Sequence, residues 1–546
     1  MSPSFLWQGL LHSTPRWWLG IAFLAFLLGL RSFRRRTDLP TPPGPKISMF
    51  GLWKGATMPS AFQWLIYGEW KKTYGDLIFL DVLKNPILVI NSVEAAQDLL
   101  EKRSAIYSSR PIRVMQKDVM GFDFLFTGMK YDAWYKQHRI MFHHHFQRGV
   151  IQKYQTLQQK HAYTLLRNLA HAPNALEHII RRHAISQFHF ISLLTPDRRT
   201  TAAIVLEICY GIHVADAGDE YVALADEALA GISSSGNFGT FAVDYFPLLK
   251  YVPTWLPGAN FKREGLKFRR LSSRLLNYAF DSVKQKLEDG CAEPSLMTIE
   301  LDSLFRDAPK KSRAVERETI IKDVLATTYA AGSDTTLSTL LTFVLAIVLH
   351  PDVQAKAWEE LDRVVPKDRL PQFEDRDQLP YIMCIVWECL RWQPSVNLAP
   401  GHYLTETDEY RGYRIPKGTT CLANIWAMLH DPQHYPDPSK FDPDRYADAK
   451  LNHSKNINAN PEIAFGFGRR ICPGRFFALD TLWIVIASTL YSYRICKALD
   501  SHGREMEPRV EYLTGLISLA KPFKYRIVSR GEDTKKLVEA TLNEDA

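Results

Sequence analysis

The alternation of apolar and polar positions changes period along the chain, and each change marks an element. Apolar residues at 77–82 and 87–90, either side of Lys84-Asn85-Pro86, predict two short strands joined by a turn. A helical period of about 3.6 residues takes over afterwards. It predicts helices over 93–103, 133–146, 150–169, 265–287, 316–349, 352–364, 381–392 and 476–493. Residues 402–423 return to strand-like patterning around Tyr410-Arg411-Gly412-Tyr413-Arg414. The fold class is therefore mainly α, a helical bundle with a small β-rich side region. Residues 531–546 are polar and are expected to fray.

One stretch departs from the globular pattern. Residues 17–30 carry no charge and lie between Arg16 and the basic cluster Arg31, Arg34, Arg35 and Arg36. A helix of that length rises about 21 Å, short of the roughly 30 Å hydrocarbon layer, and snorkelling arginines close part of the gap. A retained transmembrane anchor is expected rather than a cleaved signal, because arginines, not small residues, come after the apolar run. The excess of arginine on its C-terminal side places the globular domain in the cytoplasm. Leu39-Pro40-Thr41-Pro42-Pro43-Gly44-Pro45 then reads as a stiff, extended spacer. Composition narrows the rest: 546 residues, 46% hydrophobic and 23% charged, suit one large globular unit. The scattered net charge of +8 favours a membrane surface or an acidic protein partner, and no nucleic-acid motif accompanies it. Seven cysteines without paired spacing fit a reducing compartment, and Cys384 and Cys389 read as core residues.

The chemistry concentrates in Phe465-Gly466-Phe467-Gly468-Arg469-Arg470-Ile471-Cys472-Pro473-Gly474. Gly468 and Gly474 permit tight turns and close backbone approach to a flat group. Pro473 can open a helix whose first N–H groups would stabilise negative charge on the Cys472 sulfur. Phe465 can shield that sulfur. The set suits a haem iron bound by a cysteine thiolate, with Arg470 spaced to reach a haem propionate. The alternative is a structural cysteine in a glycine-rich turn. Phe-x-x-Gly-x-Arg-x-Cys-x-Gly resembles the signature of the cytochrome P-450 superfamily, and every fixed position is filled.

Further motifs occur in the order that this resemblance implies. Ala331-Gly332-Ser333-Asp334-Thr335-Thr336 interrupts the longest apolar helix, where Thr335 can bond back to the Ala331 carbonyl and Gly332 can allow a bend. It is similar to the family's oxygen-activating motif, which assigns Asp334 and Thr335 to proton delivery. Glu388 and Arg391 share a helical face, and with Arg445 of Asp442-Pro443-Asp444-Arg445 they resemble the family's buried charged network on the cysteine side. Tyr131-Asp132-Ala133-Trp134-Tyr135-Lys136-Gln137-His138-Arg139 stands where the family carries Trp-x-x-x-Arg for a propionate. Trp134 counts forward to His138, whereas Arg139 counts back to Tyr135; Arg139 is favoured because its charge does not depend on pH. His143, His144 and His145 diverge too widely on a helix to share one metal ion.

The resemblance implies a membrane-anchored haem-thiolate monooxygenase of fungal secondary-metabolism type at the endoplasmic reticulum. Its expected divisions are an anchor with basic flank over 1–36, a hinge over 37–46, the catalytic domain over 47–530 and a tail over 531–546. It implies haem b on Cys472, O2, and electrons from a separate NADPH-cytochrome P-450 reductase docking near Lys136, Arg469 and Arg475. It also implies a lipophilic, terpenoid-like substrate touched by 113–126, by the segment before Asp334, by 395–399 and by 513–517, with Asn397 and Thr514 orienting it. The proline-punctuated loop 246–258 stands where membrane-bound members of the family dip into lipid; the alternative is that it is core. The rival readings are a haem-thiolate isomerase or dehydratase that needs no reductase, and a non-catalytic membrane haem protein.

Overall fold

The computed structural model describes residues 39–46, 59, 61–82, 85–171, 195–214, 219–236, 240–306, 311–447 and 460–541. The expected anchor at 17–30 and its basic flank lie outside them. The proline segment is extended but not free: Pro43 O accepts the Phe79 N–H at 2.9 Å and Pro40 O accepts the Arg414 N–H at 2.8 Å. A Cβ on Gly44 would stand 1.9 Å from Phe79 O, so only glycine fits this seam.

Helix α1 (Gln63–Tyr74) precedes β1 (Leu77–Val82) and β2 (Asn85–Ile90). Asn85 and Pro86 pair with Val82 and Asp81 as strand residues, so they belong to β2 rather than to the turn expected at 84–86, whose first residue, Lys84, lies outside the described residues. Residues 93–102 come next as one helical turn that widens to π spacing from Gln97 to Lys102. Then come α2 (Ala133–Phe146), α3 (Gln155–His171), α4 (Thr195–Tyr210), α5 (Glu220–Ser235), α6 (Asn260–Glu288) and α7 (Leu296–Arg306). Sequence patterning missed α4 because it is buried almost all round, and an apolar residue on every side leaves no stripe.

Helix α8 (Lys311–Leu349) runs through the centre. Its positions 320–330 pack into one apolar cluster with α4, α5 and α6, and its positions 337–348 pack into another with α9 (Pro351–Val364) and α10 (Pro380–Trp392). The polar interruption at 331–336 falls where the two cores part. This helix is long and apolar enough to cross a membrane, but 83% of its most apolar window is buried in protein, which makes it a core helix. Strands β3 (His402–Tyr403), β4 (Asp408–Tyr410), β5 (Tyr413–Ile415) and β6 (Thr420–Ala423) lie beyond α10 in the chain. The main sheet has the order β1-β2-β6-β3, with β6 parallel to β2 and Ile87 opposite Thr420. Helix α11 (Arg475–Ser492) leads into a second sheet of β7 (Tyr493–Leu499), β8 (Glu505–Met506) and β9 (Tyr525–Ser529). The tail does not fray where expected. Residues Glu532–Ala540 form α12, Val538 is buried, and Arg167 of α3 donates to both the carbonyl and the hydroxyl of Thr541.

Candidate active site

The cysteine loop is built by two glycines, of which Gly468 was singled out in sequence and Gly466 was not. Gly466 has φ +83° and Gly468 φ +57°, conformations that L side chains resist, and a Cβ on Gly468 would lie 2.2 Å from Leu100 O. Gly474 is ordinary by comparison: φ is −89°, and a Cβ there would meet Phe142 at 3.6 Å. Its part is to open α11, with its N–H bonded to Cys472. The Cys472 N–H donates to Phe465 O at 2.8 Å, closing the loop. Burial pushes the Cys472 thiol up, while the Gly474 N–H and the cations of Arg139 and Arg475 pull it back down. Arg475 donates to Cys472 O at 3.2 Å, so its charge serves the loop rather than facing outward.

Arg470 is buried, with Nε donating to Ser108 O and Nη2 to Met129 O, both at 2.7 Å. Its Nη1 is buried without a hydrogen-bond partner among the described residues. The Tyr135 ring lies 3.6 Å from its guanidinium carbon. Asp132 caps α2 by accepting the Tyr135 N–H at 3.0 Å, and that start sets the helix register. It is thus Tyr135, one turn before Arg139, and not Trp134 that meets the loop. Trp134 packs edge-on against His138, 4.9 Å between ring centres. His138 is engaged at both ring nitrogens, by Trp134 O at 2.8 Å and by Asp323 of α8 at 3.2 Å. Arg139 is half-buried, and its charge acts on Cys472 and Arg470.

Two further groups escaped sequence reasoning. Arg110 is buried beside Arg470 and donates to Thr127 O and Gly401 O, each at 3.0 Å. Burial and the Arg470 cation push its guanidinium down to about 9. His402 is buried too, with Nδ1–H donating to Tyr107 O at 2.9 Å, and burial plus the Arg110 cation hold it well below the usual histidine range. No carboxylate among the described residues balances Arg110, Arg470 or His402. No local signal marks them: Arg110 and Gly401 are 291 positions apart and meet only in the fold.

In α8 the expected back-bond of Thr335 is present, within a helix that runs unbroken from Lys311 to Leu349. Thr335 Oγ1 donates to Ala331 O at 2.7 Å; Ala331 is exposed, Gly332 and Thr335 are half-buried, and Asp334 is buried. The charged network also forms. Glu388 and Arg391 are fully buried and joined by two bonds of 2.7 Å, with Arg445 Nε at 3.4 Å from Glu388 and the Asp442 N–H donating to Glu388 at 2.8 Å. Arg391 gives its remaining N–H groups to the carbonyls of Leu429, Pro438 and Lys440. Helix α10 is itself fixed from α9, where the Glu360 carboxylate accepts the Tyr381 N–H. Of the histidine run, His145 bonds Glu300 at 2.6 Å while His143 and His144 are exposed, and no metal-binding group occurs among the described residues.

Comparison with known proteins places this architecture. The family model described as Cytochrome P450 matches residues 41–526. Cytochrome P450 monooxygenase COX2 of Coprinopsis cinerea is 38% identical over 96% of this chain and 94% of its own length. Cytochrome P450 monooxygenase 136 of Postia placenta is 36% identical over 92% and 91%. A zebra fish cytochrome P450 solved with abiraterone superposes with a TM-score of 0.61 over 86% of this chain and 100% of its own, at 21% identity, which speaks for the fold. The chain belongs to the cytochrome P450 family and has its mostly helical fold with small sheets. It is a monooxygenase whose cofactor is haem b on a cysteine thiolate, supplied with electrons through a reductase. The residues present fit that group: a loop carrying one thiol lies beside buried cations that lack anions, and a haem edge carries two propionates.

Proposed function

We propose that the protein is a membrane-anchored enzyme of fungal secondary metabolism that hydroxylates a lipophilic, terpenoid-like natural product, drawing electrons from NADPH-cytochrome P-450 reductase. Cys472 would supply the thiolate to the haem, Arg470, Arg110 and Arg139 would hold its propionates, and Glu388, Arg391 and Arg445 brace the loop. The observation that carries these assignments is the buried, unpartnered Nη1 of Arg470, two residues from Cys472. The haem supplies the family's oxygen chemistry, RH + O2 + 2e− + 2H+ giving ROH and H2O. Asp334, one residue before Thr335, would relay the proton, and Thr335, whose own proton is committed to Ala331 O, presents its lone pairs to an incoming donor. His138, engaged by Trp134 O and Asp323, instead braces α2 against α8.

The lipophilic substrate class is supported by what the expected contact segments have already committed. Arg113 donates to the carbonyls of Ser235 and Gly236 and approaches Asp244, and Thr514 accepts the Phe62 N–H. Asn397 is enclosed, with no partner for its amide. What remains to face a substrate is mostly apolar. Membrane attachment is supported by the loop before α6, where Leu248, Tyr251 and Trp255 are 80%, 71% and 77% exposed. Lys136 and Arg469 converge on the Tyr131 ring at the surface beside the cysteine loop, a basic site for an acidic reductase. The test is a reduced, carbon-monoxide difference spectrum of the membrane-expressed protein beside Cys472→Ala. A red-shifted Soret band in the wild type and its loss in the variant are expected; a variant that keeps the band removes Cys472 as the ligand.

A further inference from the structure

The polar residues of α8 do not end with the oxygen motif. Thr335, Ser338, Thr339 and Thr342 recur at helical spacing along one face of an apolar helix, and each finds a partner. Ser338 Oγ donates to Ser518 O at 2.7 Å, Thr342 Oγ1 pairs with Tyr512 Oη at 3.2 Å, and Thr339 Oγ1 pairs with Ser395 Oγ at 3.0 Å. The Ser518 N–H donates to Ser395 O at 2.8 Å. Ser395 Oγ in turn donates to the carbonyl of Thr335 at 2.9 Å, which the Thr339 hydroxyl also approaches at 3.3 Å. The segment 395–399 is therefore sewn to the peptide unit of Thr335 by its first residue, and Ser395, buried and engaged, is held by the helix rather than turned to a substrate.

Thr335 is thus fixed at both ends. Its hydroxyl is tied to the carbonyl one turn back, and its own carbonyl is tied to a hydroxyl from another segment. A hydroxyl that already bonds back within a helix is held only as well as the helix beneath it. We propose that Ser395 is a positioning residue that sets the Thr335 peptide, and through it the proton-accepting direction of the Thr335 hydroxyl, linking the substrate-side segment to proton delivery. The inference rests on the assignment of Thr335 to that role.

Misplaced protons divert electrons: O2 + 2e− + 2H+ leaves as H2O2 instead of yielding product and water. In the haem-loaded protein, driven by NADPH through the reductase with 7-ethoxycoumarin as an apolar probe, Ser395→Ala raises the ratio of hydrogen peroxide to water about fivefold, the factor one ordinary net hydrogen bond is worth. Ser395→Thr restores it, and the carbon-monoxide band keeps its full height in both variants. In a Thr335→Ala background Ser395→Ala adds nothing, because there is no hydroxyl left to aim. Amide hydrogen exchange within 335–342 quickens in Ser395→Ala independently of turnover. Unchanged peroxide release or unchanged exchange in Ser395→Ala overturns the proposal, as does an additive effect in the double variant. If Thr335→Ala itself stays fully coupled, the assignment of Thr335 fails and the inference falls with it.

Discussion

Two buried charge clusters flank the cysteine loop, and they are opposites. In the first, Glu388 and Arg391 are fully buried, yet every charge has an answer: a two-bond ion pair, Arg445 nearby, backbone carbonyls for the remaining guanidinium N–H groups and the Asp442 N–H for the carboxylate. In the second, Arg110, Arg470 and His402 gather, and among the described residues there is no acid beside them and no partner for one guanidinium nitrogen. A cluster that closes on itself holds a fold together. One that is left open by a whole anion marks where a ligand completes the protein.

The sharpest way to break the comparison is in the closed cluster. Glu388→Gln keeps the shape but strands Arg391 at zero exposure, and the expected cost is about 3 to 5 kcal/mol. Urea unfolding of the haem-loaded protein should show that loss, or expression should yield no folded protein. A variant within about 1 kcal/mol of wild type, the ordinary worth of an exposed pair, would mean that the network does not brace the loop.

The two clusters also differed in how they could be read. Glu388 and Arg391 lie three residues apart on one helix, so spacing alone put them on the same face, and the Cys472 loop and the Ala331–Thr336 motif were visible because each is a contiguous run. Arg110 and His402 were invisible because no periodicity relates them to Cys472: their proximity is a product of the fold. The Trp-x-x-x-Arg count was ambiguous in sequence; in the structure Asp132 starts α2, Tyr135 meets Arg470 and His138 meets Asp323. Helix α12 was missed because Leu537 and Val538 are its only large apolar residues, too few for a stripe. The glycines were half legible: Gly468 is required by its φ and by Leu100, whereas the protein alone makes no such demand at Gly474.

The open cluster should respond in haem retention rather than in chain stability. Arg110→Met removes one cation from a site that lacks anions, which relieves Arg470 while weakening the grip on a propionate. A charge-assisted hydrogen bond of about 1.5 to 3 kcal/mol predicts haem loss faster by about 10- to 100-fold, measured as transfer to excess apomyoglobin. Unchanged haem loss would show that Arg110 does not face a propionate.

The smallest effect lies at the border of the closed cluster. His430 stacks on Trp426 at 4.2 Å between ring centres and donates from Nδ1 to Trp426 O at 2.9 Å. Burial and the Arg391 cation push it down to about 3. Its unfolded value is about 6.5, so the unfolded chain takes up a proton that the native state refuses as pH falls below that point. The stability His430 contributes is complete above about pH 6.5 and is lost progressively on the way down to about 3, at roughly 1.4 kcal/mol per unit. Between pH 6.5 and 5.5 the expected loss is about 1 kcal/mol, read as a shift in the urea midpoint of the haem-loaded protein. His430→Gln should flatten that part of the profile while leaving the haem spectrum unchanged. If the slope persists in the variant, the proton is taken up elsewhere, with His350, which burial also holds low, as the next group to replace.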